Sequence, residues 1–159
     1  MIRISRLTDY AIVLLAHIGA QPERLHRAAE LSASTKLPQP TVSKLLRLLT
    51  RKGLLRSHRG AHGGYRLTSR PGDLPLARVV EQLEGPLGLT VCTHEGPRST
   101  CRHELSCPVQ GHWQVINRAF LSALGNVTLA DIVEGGRMRR QASTPAQTSP
   151  APGQAVVNC

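Results

Sequence analysis

Three cysteines lie close together in the second half of the chain, with eight residues between Cys92 and Cys101 and five between Cys101 and Cys107. The intervening segment is rich in Gly, Pro, His and Ser and lacks helical or strand periodicity, which predicts a loop. A loop of this length inside a compact domain is usually either functional or disordered. Because thiolates bind soft metal ions and iron–sulfur clusters, this loop is the first candidate for chemistry in the chain.

Several chemistries are compatible with clustered thiols. A disulfide framework is disfavoured, because the cluster has an odd number of cysteines and the chain has no signal-peptide pattern, so we expect a reducing cytoplasm. Structural zinc sites usually pair cysteines about two to four residues apart, and no such pair occurs. The wide spacing in a glycine-containing loop favours an iron–sulfur cluster. Zinc and unliganded, oxidant-sensing thiols remain open as alternatives.

An iron–sulfur cluster normally takes four protein ligands, so three cysteines leave one position open. Cys159, at the end of the chain, could reach the loop only by folding back a long segment at an entropic cost. The nearer candidates for the fourth ligand are His94, His103, Glu104 and His112.

The net positive charge of the chain comes entirely from its N-terminal half. Residues 1–70 hold 13 of the 20 Lys and Arg residues and three acidic residues, whereas residues 71–159 hold seven of each sign. The excess indicates a polyanionic partner for the N-terminal half, and a solubilising surface charge is the alternative. A membrane surface is disfavoured, because the basic residues are not confined to one amphipathic helix.

The elements that carry this charge are predicted to be three helices. The first covers residues 8–18 with Thr8 as its cap, and the second covers residues 25–33. The third has Pro40 in its first turn and stops at Gly53. Its apolar residues recur at helical spacing and are predicted to be buried: Val42, Leu45, Leu46 and Leu49.

Two strand-like runs follow, residues 54–57 and 65–68, around a basic tip rich in glycine, which predicts a hairpin. Three helices and a hairpin are the order of a winged helix-turn-helix domain. Short polar side chains at the start of the third helix can reach base edges in the major groove, and a basic tip suits the minor groove. An ordinary amphipathic helix and a solvated turn are the alternatives. The predicted DNA-binding residues are Gln39, Thr41, Ser43, Lys44, Arg47, Arg59 and His62.

The second half of the chain is predicted to be helical on both sides of the cysteine loop. Helices are predicted at residues 76–83, 109–124 and 129–133, the last capped by Thr128. From residue 135 the composition turns to Arg, Ser, Thr, Pro, Gln and Ala, which predicts a disordered tail over 135–159.

The combination of segments resembles the Rrf-type winged-helix transcription regulators, an iron–sulfur family with IscR-like and NsrR-like branches, and is most similar to the regulators of SUF-system cluster assembly. The resemblance spans about residues 1–135. The segments that carry it are residues 3–11, 59–67, 76–85 and 126–129, the three cysteines with Cys107-Pro108-Val109, and Trp113.

The resemblance implies a fold that is mainly α with a small β-hairpin wing, comprising a winged helix-turn-helix domain and a long dimerisation helix. The expected domains are the DNA-binding domain at 1–85, the cluster-binding loop at 86–108, and the dimerisation helix with a short helix at 109–134. It also implies a homodimer, a palindromic operator in double-stranded DNA with the third helix in the major groove and Arg59 in the wing, and a cluster on Cys92, Cys101 and Cys107.

The fourth ligand departs from one branch of this family. IscR-like members have a histidine three residues after the last cysteine, where this chain has Gln110, a poor iron ligand. In the NsrR-like branch an acid in the first helix reaches the cluster of the other subunit, and Asp9 occupies that position. Asp9 in trans is therefore the first candidate, with stabilisation of the helix dipole as its alternative role, and His112 is the next. A 2Fe-2S cluster is favoured, and a 4Fe-4S cluster is the alternative.

These observations predict a cytoplasmic, homodimeric repressor of genes for iron–sulfur cluster assembly, with the cluster as its sensor. A nitric-oxide or redox sensor that controls other genes is one alternative, and an iron–sulfur carrier or assembly scaffold is another. An enzyme is disfavoured, because the sequence has no Ser/His/Asp set, phosphate-binding loop or dinucleotide fingerprint.

Overall fold

The computed structural model describes residues 4–60, 62–93, 101 and 106–142, with side chains described up to residue 136. This part of the chain is mainly α-helical with one antiparallel hairpin, so the predicted fold class is confirmed. The elements, in chain order, are α1 (Arg6–Gly19), α2 (Ala28–Thr35), α3 (Gln39–Arg51), β1 (Leu55–His58), β2 (Gly64–Leu67), α4 (Leu76–Glu84), α5 (Gln110–Gly125) and α6 (Leu129–Ala142). Short 3₁₀ turns lie at Pro71–Asp73 and Val91–Thr93.

Helix α1 begins two residues earlier than predicted, and its cap lies three residues before the predicted one. Its cap is Ser5, whose hydroxyl accepts a hydrogen bond from the Thr8 amide at 3.2 Å. Thr8, the predicted cap, is buried in the first turn, and its own hydroxyl donates to Glu84 Oε1 at the end of α4. The prediction of Thr8 as the cap was therefore wrong, because its hydroxyl has a partner distant in sequence.

The second helix starts at Ala28 rather than at residue 25. The backbone of His26 is extended and exchanges two 2.9 Å hydrogen bonds with the backbone of Tyr65 in β2. Lys36 then ends α2 in a left-handed conformation, with φ at 57°. This break sets the turn between α2 and α3.

Helix α3 confirms the pattern predicted for it. Pro40 lies in its first turn, and Gly53 follows its end with φ at 74°, a conformation that favours glycine. The four predicted apolar residues are completely buried in the core, together with residues of α1, α2 and the hairpin. The outward face of α3 is left to polar and basic side chains.

The hairpin lies within one residue of its predicted position. Leu55 pairs with Leu67, and both are buried, whereas Arg56 pairs with Arg66. Gly60 at the tip has φ at 112°. The hydrogen bonds between the extended residues 26 and 65 fix the tip-side half of this wing to the helical core.

The C-terminal helices pack back onto the N-terminal ones. The strand-like bridge between Pro75 and Thr128 ties the start of α4 to the start of α6. Thr128 caps α6 as predicted, in a reciprocal arrangement with Asp131. Helix α6 continues to Ala142, beyond the predicted end at residue 133, so the first eight residues of the segment predicted to be disordered are helical. No helix of the described ranges is both long enough and apolar enough to cross a bilayer.

Candidate nucleic-acid interface and cysteine loop

An open groove of about 650 Å³ lies between α3 and the wing. Three of the predicted DNA-binding residues, Ser43, Lys44 and Arg47, line one wall. The hairpin supplies the facing wall through Ser57 and Tyr65, which pair across the two strands. The remaining lining residues are Pro40, Thr50 and Arg51.

The basic side chains of this groove are available to a ligand. Lys44 and Arg47 are exposed, because the buried stripe of α3 holds the opposite face of the helix in the core. Neither is part of an ion pair in the portion of the chain that the structure describes. Gln39 is exposed and Thr41 half-buried at the start of the same helix. Polar and cationic groups thus converge on a groove that a phosphate backbone can enter.

The wing tip extends beyond the groove. Arg59 and His62 are both exposed on it, while Ala61 lies outside the described residues. Where the second strand leaves the tip, Gly64 approaches His26 so closely that a Cβ would lie 2.8 Å from the His26 carbonyl oxygen. This glycine lets the hairpin dock against the core, and so fixes the direction in which the tip projects.

Sequence reasoning missed Ser57 and Tyr65 as residues of the groove. Their signal was present in the period-two alternation of the hairpin, since Ser57 lies two residues after the buried Leu55 and Tyr65 two residues before the buried Leu67. Which face of the hairpin turns towards α3, however, depends on how the hairpin packs.

The three predicted cluster ligands are free, half-buried thiols. Cys92 lies in the 3₁₀ turn that follows α4, and Cys107 lies just before α5, where its carbonyl accepts from the Gln110 amide at 3.4 Å. The described residues include no set of three or more His, Cys, Asp and Glu side chains close enough to hold a metal ion, so the three thiols are not brought together. Cys159 and three other candidate ligands lie outside the described residues: His94, His103 and Glu104.

The turn that holds Cys92 is anchored to α5 by Asn117. This amide is 5% exposed; its oxygen accepts from the Leu89 amide at 3.0 Å, and its nitrogen donates to the Thr93 carbonyl at 3.4 Å. Within the turn the Thr90 hydroxyl lies 3.2 Å from the Cys92 sulfur. Sequence reasoning missed Asn117 and could have flagged it only as a polar residue within an apolar helix.

The two candidates for a fourth ligand within the described residues lie on different helices. Asp9 is exposed in the first turn of α1, and His112 is exposed in the first turn of α5. Next to Asp9, the Thr8 hydroxyl and the Ser5 amide donate to the Glu84 carboxylate, at 2.5 and 2.9 Å. These hydrogen bonds lower the pKa of Glu84 below its ordinary value, and the bond from the Thr8 hydroxyl has the largest effect. They fix the start of α1 to the end of α4, close to where the cysteine loop begins.

Helix α5 leaves large apolar side chains in solvent. Val109 just before it, Trp113 and Ile116 are 48%, 38% and 48% exposed and follow one another at helical spacing. Phe120 and Leu124 continue the stripe and are half-buried. An apolar stripe of this length on a helix indicates an interface rather than a solvated surface.

Comparison with known proteins agrees with this arrangement. The sequence pattern of the Rrf2 family, described as an iron-dependent transcriptional regulator, matches residues 4–135. The chain belongs to the Rrf2 family. Regulation of transcription through DNA binding is therefore the role of this Rrf2-family protein, and the groove between α3 and the wing is its candidate DNA interface.

Individual relatives support the same assignment. The HTH-type transcriptional regulator NsrR of Shouchella clausii is 26% identical over 132 residues, which cover 82% of this chain and 88% of that protein. CymR, the global cysteine regulator of B. subtilis, superposes with a TM-score of 0.66 at 24% identity, over 85% of this chain and 98% of CymR. IscR of T. potens has the same TM-score at 21% identity, over 87% and 91% of the two chains. The two structures show that the Rrf2-family protein has their winged-helix fold.

Proposed function

We propose that this protein is a homodimeric repressor of genes for iron–sulfur cluster assembly, and that an iron–sulfur cluster on Cys92, Cys101 and Cys107 controls its affinity for a palindromic operator. The observation that carries the proposal is the position of the thiols. Cys92 and Cys107 lie in the segment that joins α4, the last helix of the expected DNA-binding domain, to α5, which carries the exposed apolar stripe.

DNA binding occupies the groove and the wing tip. Helix α3 enters the major groove with Gln39, Thr41, Ser43 and Lys44 towards the bases, where amide, hydroxyl and ammonium groups match base edges. Arg47 contacts phosphate. Arg59 and His62 meet the minor groove, which attracts cations where it is narrow.

The dimer forms through α5. A second copy of the same apolar stripe covers the first, as expected for a two-fold interface in which one surface patch meets itself. The two α3 helices then face successive major grooves on one side of the duplex, which requires two half-sites related by symmetry. A palindromic operator follows from that symmetry.

The donor chemistry of the loop fits an iron–sulfur cluster, since three unpaired thiols can supply three thiolates. Cys92, Cys101 and Cys107 would hold the cluster through their thiolates. When bound, the cluster supplies a centre that iron shortage or oxidants can remove. Asp9 of the partner subunit is the first candidate for the fourth ligand and His112 the second; a carboxylate favours a labile site, because it binds iron less tightly than a thiolate. A 2Fe-2S cluster is favoured over a 4Fe-4S cluster.

A bound cluster would influence DNA affinity through the residues that connect its thiols to packed elements. Asn117 links the Cys92 turn to α5, and Glu84 links the end of α4 to the start of α1. A change at the cysteines would therefore reach α5, the proposed dimer helix, and the DNA-binding domain. A ligand shifts an equilibrium only when it binds two states unequally, and the proposal requires that the two states differ at these links.

The proposal is tested by anaerobic purification, a visible spectrum, and counts of iron and sulfide, followed by binding to promoters of cluster-assembly genes with and without cluster. We expect Cys101→Ala to lose the visible absorbance and to bind the promoter more weakly. Cys159→Ala, outside the cysteine loop, is the matched control and should behave as wild type. Unchanged absorbance and unchanged affinity in Cys101→Ala would overturn the proposal.

A nitric-oxide or redox sensor is the second candidate, favoured by the similarity to a regulator named NsrR. It predicts tight binding to promoters of genes that respond to nitric oxide or oxidants, and weak binding to those of cluster-assembly genes. A carrier or scaffold would instead transfer its cluster to acceptor proteins and show no steep salt dependence of DNA affinity.

A further inference from the structure

The two faces of the wing carry different chemistry. Ser57 and Tyr65 turn towards α3, so their neighbours in the strands, Arg56 and Arg66, project from the opposite face. Arg56 and Arg66 are directly opposite one another in the antiparallel register. On this outer face they border a cleft of about 240 Å³, together with Arg70, Glu23, Pro22, Leu67, Thr68 and Ser69.

The charge of this cleft is not balanced by the described residues that line it. Three guanidinium groups meet one carboxylate, that of Glu23. None of the three arginines takes part in an ion pair in the ranges that the structure describes. Like charges directly opposite on neighbouring strands are destabilising. Such a pair is tolerated most readily where an anion from outside neutralises it.

We propose that the outer face of the wing is a second phosphate-binding surface, and that its ligand is the DNA backbone on the far side of the minor groove from α3. The proposal deepens the DNA-binding role by adding a contact that the α3 groove does not make. A wing tip inserted into a minor groove about 6 Å wide lies between two phosphate ridges. The α3 groove faces one ridge, and Arg56, Arg66 and Arg70 face the other.

The composition of the cleft favours a phosphodiester over a small metabolite. Ligand pockets are commonly about 300–1,000 Å³ and lined mostly by apolar and aromatic side chains. This cleft is smaller, and its lining is mostly charged or hydroxylated. Arginine forms paired hydrogen bonds with phosphate oxygens, which suits a backbone that passes along the surface.

The test is the salt dependence of binding to a random-sequence DNA duplex, measured by fluorescence anisotropy. Each neutralised phosphate contributes about 0.9 to the slope of log affinity against log salt, so the double variant Arg56→Gln/Arg66→Gln should lose about 1.8. Between 50 and 200 mM salt, the wild type should then lose about tenfold more affinity than the variant. Arg56→Lys/Arg66→Lys keeps the charge and should keep most of the slope.

The matched control is Arg78→Gln/Arg118→Gln, which removes the same charge from exposed positions on α4 and α5. An equal loss of slope in this control would attribute the effect to net charge and overturn the proposal. So would a thermal stabilisation by inorganic phosphate that disappears in Arg56→Gln/Arg66→Gln while the DNA slope is unchanged, since the ligand would then be a free anion. A wild-type protein without salt-dependent DNA binding would instead refute the proposed function. Circular dichroism verifies that each variant is folded.

Discussion

Replacing Asn117 with alanine tests whether a single buried amide holds the cysteine loop on α5. The substitution leaves the Leu89 amide and the Thr93 carbonyl without their side-chain partner. Leaving a buried polar group unpaired costs about 1–3 kcal/mol. The Thr93 bond, at 3.4 Å, is long and belongs at the low end of that range, so we expect a loss of about 2–4 kcal/mol in the free energy of unfolding.

The assay is urea denaturation followed by circular dichroism, at one fixed protein concentration because unfolding of the proposed dimer would depend on concentration. Hydrogen exchange at the Leu89 amide should accelerate in Asn117→Ala, which locates the effect in the turn. Asn126→Ala is the matched control, because this asparagine is exposed at the end of the same helix. We expect its free energy of unfolding to stay within about 0.5 kcal/mol of wild type.

Equal urea midpoints for the Asn117 and Asn126 variants would refute the reasoning, since the two asparagines would then be equivalent. A second readout concerns the loop itself. Cluster-loaded Asn117→Ala should lose iron to a chelator faster than wild type, because Cys92 is no longer fixed relative to α5. A lower urea midpoint with an unchanged rate of iron loss would confine Asn117 to general stability.

Three other changes test the dimer, the α1–α4 link and the wing. Trp113→Glu places a charge in the exposed stripe of α5 and should convert the proposed dimer to a monomer in analytical ultracentrifugation; a dimer that persists would exclude α5 as the interface. Glu84→Gln removes a carboxylate whose pKa is lowered by hydrogen bonds from Thr8 and Ser5. Wild type should therefore have a larger free energy of unfolding than this variant, and the difference should be largest above the ordinary pKa of 4.5. The difference should shrink as the pH falls below that value, because protonation of Glu84 weakens those bonds. A difference independent of pH between 3 and 7 would contradict this. Gly64→Ala places a methyl group against the backbone of His26 and should lower both the melting temperature and the DNA affinity, whereas Gly72→Ala, with open space around it, should lower neither by a comparable amount.

Much of the DNA-binding domain could be predicted because its signals are local. The apolar spacing in α3, the glycine at its end and the strand-like runs of the hairpin each lie within a short segment, and all three predictions were confirmed within one or two residues. The start of α2 could not be predicted in this way, since the backbone of His26 pairs with Tyr65 instead of entering the helix. Tertiary hydrogen bonds here outweigh a local helical tendency.

In the cysteine loop, the residue types could be predicted from the sequence but their tertiary contacts could not. The types and spacing of Cys92, Cys101 and Cys107 favour an iron–sulfur cluster, because thiolates are its usual ligands, and leave zinc and unliganded thiols as alternatives. Their anchoring could not be predicted, since Asn117 lies 28 residues from Leu89 and 24 from Thr93. Nothing in the spacing of the cysteines requires that residue.

By itself, the sequence determined the helices, the wing, the separation of charge and the candidate metal-binding side chains, because hydrophobic period and residue type are local properties of a chain. The tertiary structure alone decided which polar groups meet. It placed Thr8 against Glu84 rather than at the cap of α1, and turned Tyr65 towards α3 while leaving Arg66 on the outer face. The physical reason is that a buried polar group must be satisfied, and packing brings its partner from a distant part of the chain.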